Sequence, residues 1–209
     1  MMQPKLATSG NAAGDRIVLV TPHSCPATTA VNAKSVRLVA LSVEAMNALL
    51  GGDLAAASAA VGLELTDYLT TEKALWLWRL RVDQIASDPA SRHWVARAVI
   101  DDSLRAVVGY AGYHGPPDNA GMVEIGYSVD PRYRLQGYAR AIVRELLRRA
   151  ETEPDVTTVR AAISPDNVAS LATISGFGFS GVAEQWDDED GLELIFEVPT
   201  RSALRCTFT

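Results

Sequence analysis

Three groups of residues in this 209-residue chain have types and spacings that could do chemistry. The first is Arg134-Leu135-Gln136-Gly137-Tyr138-Ala139-Arg140, where small residues at Gly137 and Ala139 fall at the expected start of a helix. A helix N-terminus leaves its first amides unpaired and carries partial positive charge, and small residues let a ligand approach the backbone. Such a turn suits an anion, and a pyrophosphate is a natural occupant. Arg132, Arg134, Arg140 and Arg144 add cations, though only some can face a ligand. The plainer alternative is a glycine that merely relaxes a turn. The second group is Glu124, a carboxylate inside the apolar run Met122 to Val129, where burial is costly without a partner or a wet cleft. There it serves as a general base or as a binding group, or forms a salt bridge at a rim. The third is Asn167-x-x-Ser170, an asparagine suited to capping a helix with a hydroxyl one turn on.

The elements that must position these groups follow from periodicity. Val36 to Leu41 reads as a strand, with Ser42 capping a helix that Gly51 and Gly52 stop, and a second helix covers Leu54 to Ala60. The spacing of Leu75, Trp78, Val82 and Ile85 predicts a helix over Thr71 to Ile85. Trp94 to Ile100 and Arg105 to Tyr113 read as a strand pair joined across Asp101-Asp102-Ser103; Met122 to Val129 is a further strand, ended by Pro131. On that strand Glu124, Gly126 and Ser128 share one face, and Val123, Ile125, Tyr127 and Val129 the other. A helix beginning near Leu135 carries the stripe Ala139, Ile142, Val143, Leu146, Leu147, Ala150. Thr158 to Ile163 is a strand, Asn167 to Ser175 a short helix, and Phe179 to Trp186 with Leu192 to Val198 a hairpin across Asp190-Gly191.

Composition bounds the function. The formal net charge of −6 and pI of about 5.1 argue against a general nucleic-acid surface, which needs clustered cations. No apolar run approaches the roughly 20 residues of a membrane span, and Met1 to Gly14 lacks a signal-peptide core, so a soluble cytoplasmic protein is expected. Cys25 and Cys206 sit in no paired motif and read as reduced thiols. His93 and His114 flank strand ends without a third ligand, so no metal is expected. Residues 1–34 read as an extension, with Ile17 to Val20 either an added strand or part of a loose arm; 35–199 form the main domain and 200–209 a tail.

In order and spacing Val129, Pro131, Arg134, Gly137 and Ala139 resemble the central motif of the GNAT acyltransferase superfamily: a strand, Val-x-Pro, then Gln/Arg-x-x-Gly-x-Gly/Ala opening a helix. Asn167-x-x-Ser170 followed by Gly178-Phe179 matches that superfamily's second CoA-contacting helix. The resemblance spans roughly Val36 to Val198 and implies an α/β (α+β) GNAT fold, a mixed, mostly antiparallel, centrally splayed sheet flanked by helices. It implies acetyl-CoA as cosubstrate, its pyrophosphate on the backbone of Leu135 to Arg140, its pantetheine arm paired with Tyr127, Ser128 and Val129 like an added strand, and an amine as acceptor. Glu124-Ile125-Gly126-Tyr127 and Asn167-x-x-Ser170 look most like the branch containing ribosomal-protein N-terminal acetyltransferases, which also holds many enzymes acting on small amines.

Two positions depart from the family's pattern. Some relatives carry a base five residues before the motif asparagine, where this chain has Ala162, so Glu124 is the remaining candidate. Many carry a tyrosine acid seven residues after it, where this chain has Ile174. Ser170 could then donate a hydrogen bond to the sulfur, or simply pack its helix. Asn167 caps its helix, binds the pantetheine amide, or does both. The departures leave one alternative from another class, a non-catalytic acyl-CoA-binding or regulatory module.

On the acceptor side, Trp76, Trp78, Trp94, Tyr110, Tyr113, His114 and Trp186 lie near the elements that would build a pocket, and most are expected in the core. Asp187-Asp188-Glu189-Asp190 is either a solvated turn or an attractor of a cationic acceptor. The acceptor's identity and the oligomeric state stay open, a homodimer being the commonest soluble assembly.

Overall fold

The computed structural model describes residues 34–187 and 191–200. The run Ile17 to Val20, both cysteines, and Asp188, Glu189 and Asp190 of the acidic turn lie outside the described residues. Chain order is β1 (Arg37–Ala40), α1 (Val43–Leu50), α2 (Leu54–Val61), α3 (Glu72–Ser87), β2 (Arg97–Asp101), β3 (Ala106–Tyr113), β4 (Met122–Val129), α4 (Tyr138–Ala150), β5 (Thr158–Ile163), α5 (Val168–Ile174), β6 (Ser180–Asp187) and β7 (Gly191–Pro199). Among the described residues the strands form one sheet in the order β1-β2-β3-β4-β5-β7-β6. Neighbours are antiparallel except β4 and β5.

Local chemistry sets the boundaries. The hydroxyl of Ser42 accepts from the amide of Ala45, Asp53 accepts from Ala56 at the start of α2, and Asn167 accepts from Ser170 at the start of α5, each satisfying an orphan helix donor. In α4, Ile142, Val143, Leu146 and Ala150 are fully buried against the sheet while Arg144 and Arg148 are exposed on the opposite side, which is the alternation that a helix on a sheet requires. The central strands β2 and β3 are buried almost throughout, whereas β6 is an exposed edge strand.

Two element starts and one helix face depart most from the sequence expectation. α4 starts at Tyr138 rather than near Leu135, because Leu135 and Gly137 both take left-handed backbone (φ +58° and +87°). β2 starts at Arg97, since Ala96 has φ +53° and breaks the strand after Trp94 and Val95. The buried stripe of α3 is Ala74, Trp78, Arg81 and Ile85, with Leu75 and Val82 only half-buried, so the helix turns a guanidinium inward beside the residues expected to form its apolar face.

The sheet's central feature is the seam between β4 and β5. Met122, Val123 and Glu124 pair with Thr158, Val159 and Arg160, and there the pairing stops. From Ile125 onward β4 stays bonded to β3, while Ala161 to Ile163 pair with β7 on the far side. The two strands therefore part, and among the described residues no strand lies beside the edge of β4 that faces β5 over the rest of its length.

Candidate active site

A cavity of about 590 Å³ occupies this opening. Ile125 to Ser128 form one wall, Ala161 to Ser164 the other, α5 contributes Asn167, Ser170 and Ile174, and α3 closes it with a face running from Lys73 to Arg81.

Glu124 stands where the strands begin to part. Its carboxylate is largely sheltered, 20% exposed, and Oε1 lies 3.2 Å from His114 Nδ1. The β3–β4 register explains the pairing: Tyr113 lies opposite Ile125, so His114 lies opposite Glu124 and donates its amide to the Glu124 carbonyl at 2.8 Å. Burial pushes the Glu124 carboxyl up, but the hydrogen bond from His114 and the charges of His114 and Arg160 outweigh both burial and the nearby Asp187, so the pKa falls below its usual value. Glu124 is thus an anion, fitted to bind and orient a cationic amine and to take its proton through water. His114 lies against Gly126, where a Cβ would stand 3.0 Å from Nε2. Glycine keeps β4 open to the imidazole.

Ser128, on the same face, has its hydroxyl 2.6 Å from that of Tyr68. Tyr68 stacks on Tyr110 at 5.6 Å, and Tyr110 meets Trp78 edge-on at 5.2 Å, so an aromatic stack braces the end of the cavity. On the other face the Tyr127 hydroxyl lies 3.4 Å from Ser170 Oγ. The seam thus brings together Glu124, Tyr127, Ser128, Asn167 and Ser170 from the expected residues. Ile174 is buried, and Ala162 carries no ionisable group to the wall.

The turn after β4 has the form of an anion cradle. Among the described residues, the amides of Leu135 to Arg140 donate to no backbone carbonyl, and Leu135, Gln136 and Gly137 are exposed. The four neighbouring arginines divide. Arg132 is held by Asp130 (2.6 Å) and Asp67 (3.2 Å), and Arg134 Nε donates to the carbonyl of Val129, tying the turn to the end of β4. Arg140 packs on Phe177 and donates to the Thr173 carbonyl, while Arg144 lies along a separate groove beside Lys34. Tyr138 turns inward and donates to the buried Asp101 at 2.6 Å, so only its backbone can meet a ligand in the cradle.

Three partners escaped the sequence reading. His114 was weighed as a metal ligand and among the aromatics near the acceptor pocket, but not as the partner of Glu124, although the hairpin register would have set it opposite that residue. Tyr68 lies in a 3₁₀ turn (Asp67–Thr70) whose position depends on tertiary packing and left no periodic signal. Arg81 was hidden by the apolar stripe of its helix. Of the named aromatics, Trp78, Trp94, Tyr110 and Tyr113 are buried, Trp76 is partly exposed at the cavity, and Trp186 is exposed on the edge strand. Among the described residues no group of three His, Cys, Asp or Glu could hold a metal, and no helix is long and apolar enough to cross a membrane.

Residues 53–180, more than half of the chain, match the acetyltransferase (GNAT) domain family. The chain is 37% identical over 110 residues to the uncharacterized N-acetyltransferase YfmK of Bacillus subtilis (strain 168), covering 47% of this chain and 68% of YfmK. It is 33% identical over 73 residues to the uncharacterized N-acetyltransferase YjdG of that organism; this match takes in 35% of the chain and less than half, 44%, of YjdG's length. Among solved structures, a spermidine N-acetyltransferase SpeG chimera from Vibrio cholerae and hSSAT superposes with a TM-score of 0.57 at 14% identity, over 81% of this chain and 98% of that one. The ribosomal-protein-S5-alanine acetyltransferase from Vibrio fischeri superposes with a TM-score of 0.53 at 18% identity, over 79% and 92%. At these identities the superpositions speak to the fold.

Proposed function

Because the chain belongs to the acetyltransferase (GNAT) family, whose members use acetyl-CoA as cosubstrate, we propose that it transfers an acetyl group directly from acetyl-CoA to a primary amine within a ternary complex. The observation that carries this reading is the opening between β4 and β5, with an unpaired strand edge and a sheltered carboxylate at its apex. Acetyl-CoA supplies an activated acyl thioester. The backbone of Leu135 to Arg140, with Arg134 steadying the turn, holds the pyrophosphate; the edge of β4 at Tyr127, Ser128 and Val129 takes the pantetheine arm as a sheet edge takes an extra strand, through the backbone groups of Tyr127 and the amide of Val129. Asn167 caps α5 through its side-chain oxygen and keeps its side-chain amide for the same arm.

At the apex Glu124 attracts the protonated amine and, directly or through water, takes one proton to free the nitrogen lone pair; attack on the thioester carbonyl then forms the C–N bond, expels the CoA thiolate and releases the nitrogen's second proton to water. Ser170, hydrogen-bonded to Tyr127, is placed to return a proton to the departing sulfur where other family members use the tyrosine that Ile174 replaces here. The pattern Glu124-Ile125-Gly126-Tyr127 with Asn167-x-x-Ser170 supports an enzyme of the branch that includes ribosomal-protein N-terminal acetyltransferases, acting on a peptide N-terminus or a small amine. We take residues 35–199 as the catalytic domain, 1–34 as an extension, 200–209 as a tail, and the cytoplasm as its place of action. The test is release of free thiol from acetyl-CoA against amines, amino acids, polyamines and N-terminal peptides. Thiol release that depends on both an amine and Glu124 is expected; absence of CoA binding by calorimetry would overturn the reading.

A further inference from the structure

Arg81 is charged, 8% exposed, and lines the cavity from the side of α3. Burying a guanidinium is costly unless an anion compensates it. Its partners among the described residues are neutral: Nη1 donates to Gln84 Oε1 at 2.6 Å and to the carbonyl of His114 at 3.0 Å. Of its five N–H groups this leaves those on Nε and Nη2, the side-on fork whose geometry matches a carboxylate, without an acceptor among the described residues. Those atoms are not sealed in the way that Arg97 Nε and Arg149 Nε are. Burial lowers the Arg81 pKa, and no carboxylate among the described residues acts against it. A cation has been brought into the cavity wall without its counter-charge.

One residue separates this cation from the proposed amine site. Arg81 holds the carbonyl of His114, and the ring of His114 holds Glu124. Gln84 also donates to that carbonyl at 2.7 Å, so the arrangement is fixed at two points. Trp76, Leu77 and Leu80 of α3 add an apolar surface to the lining of the same cavity. Glu124, with Asp187 and Glu193 from the closing hairpin, makes the facing side acidic.

We infer that the acceptor is a zwitterion, an α-amino acid or short peptide with an apolar side chain, whose carboxylate is bound by Arg81 while its amine lies at Glu124. This rests on the acetyl-transfer reading above and adds to it the chemical class of the acceptor. It separates the enzyme's acceptor from purely cationic amines, for which a buried guanidinium beside the amine site would be repulsive.

Calorimetry with CoA-loaded protein compares L-leucine, L-leucinamide, the dipeptide Ala-Leu and spermidine, and thiol release is measured with the same four. L-leucine or Ala-Leu is expected to bind at least about tenfold more tightly than L-leucinamide, the weight of one charge-assisted bidentate contact. Arg81→Gln should bring the ratio of L-leucine to L-leucinamide affinities close to one, and Arg81→Lys should restore part of it; thermal melts of both variants check the fold. A preference for L-leucine over Ala-Leu would assign the carboxylate to a free amino acid, and the reverse to a peptide. Equal or better binding of L-leucinamide or spermidine, with no effect of Arg81→Gln, overturns the inference while leaving acetyl transfer intact. Carboxylate-dependent binding without thiol release from any amine would instead keep the Arg81 site and overturn the transfer reading.

Discussion

His114 Nδ1 lies 3.2 Å from Glu124 Oε1, and the same imidazole covers Gly126 so closely that any larger residue there would displace it. The pair makes Glu124 a persistent anion. Glu124→Gln keeps the shape and removes the charge, so a loss of about 10²-fold in kcat/KM is expected, the lower part of the range for a positioned acid–base group. His114→Asn tests the pairing by its pH dependence. His114 lowers the Glu124 pKa, so without it that pKa rises and the ionised form is lost at a higher pH as the solution is acidified. The acidic limb of the kcat/KM profile should therefore move to higher pH in His114→Asn, while the alkaline limb, set by the amine, stays.

Gly137 takes φ +87°, and a Cβ there would meet nothing nearer than Lys34 Cγ at 3.9 Å. Gly137→Ala should therefore cost about 1 kcal/mol of stability from backbone strain alone, read by urea denaturation. Gly137→Glu adds a carboxylate to the positive end of α4, where it satisfies the same amides that are proposed to hold the pyrophosphate. The two variants should have similar stability and differ in CoA affinity, with Gly137→Glu weaker by more than about tenfold in calorimetry. Equal CoA affinities would remove the pyrophosphate from this turn.

The Tyr127 hydroxyl and Ser170 Oγ lie 3.4 Å apart across the seam. If they return the proton to sulfur together, Ser170→Ala and Tyr127→Phe should each lower kcat with little change in CoA affinity, by about tenfold, since water can protonate a thiolate unaided. Residues that act as one unit are non-additive, so the double variant should be no slower than the worse single one. Multiplicative losses in single-turnover kinetics would show two independent roles.

Legibility followed the kind of signal. β4, β5 and α4 were readable because each has one dominant period, and Pro131 and Gly137 punctuate the chain between them; β4 and β5 came out with the expected bounds. The start of α4 was misjudged by three residues because left-handed backbone at Leu135, a residue that rarely adopts it, has no sequence signature. The parting of β4 from β5 was expected from the family resemblance alone, since no residue in either strand announces where a pairing stops. Glu124 stood out as a charge in an apolar strand, but His114 and Arg81 acquire meaning only from what faces them. Periodicity drew on Leu75, Trp78, Val82 and Ile85 and passed over Arg81, which the fold makes a buried cation on the cavity wall.

Asp101 anchors the base of the cradle. Its buried carboxylate accepts from Tyr138 at 2.6 Å and, in the turn after β2, from the Ser103 hydroxyl and the amides of Ser103 and Leu104. Burial pushes its pKa up, but these donors outweigh it and bring it down to about 2. A depressed carboxylate pKa gives stability that is complete above the ordinary value, near about 4, and is lost as the pH falls through the folded one. Asp101→Asn should cost about 2 kcal/mol at neutral pH, the weight of hydrogen bonds to a charged acceptor. Because the wild type loses its advantage on acidification, the gap between the two proteins in denaturation midpoints should narrow steadily from about pH 4 downward. A gap independent of pH would mean that packing, rather than the charge, holds Tyr138 and the first turn of α4 in place.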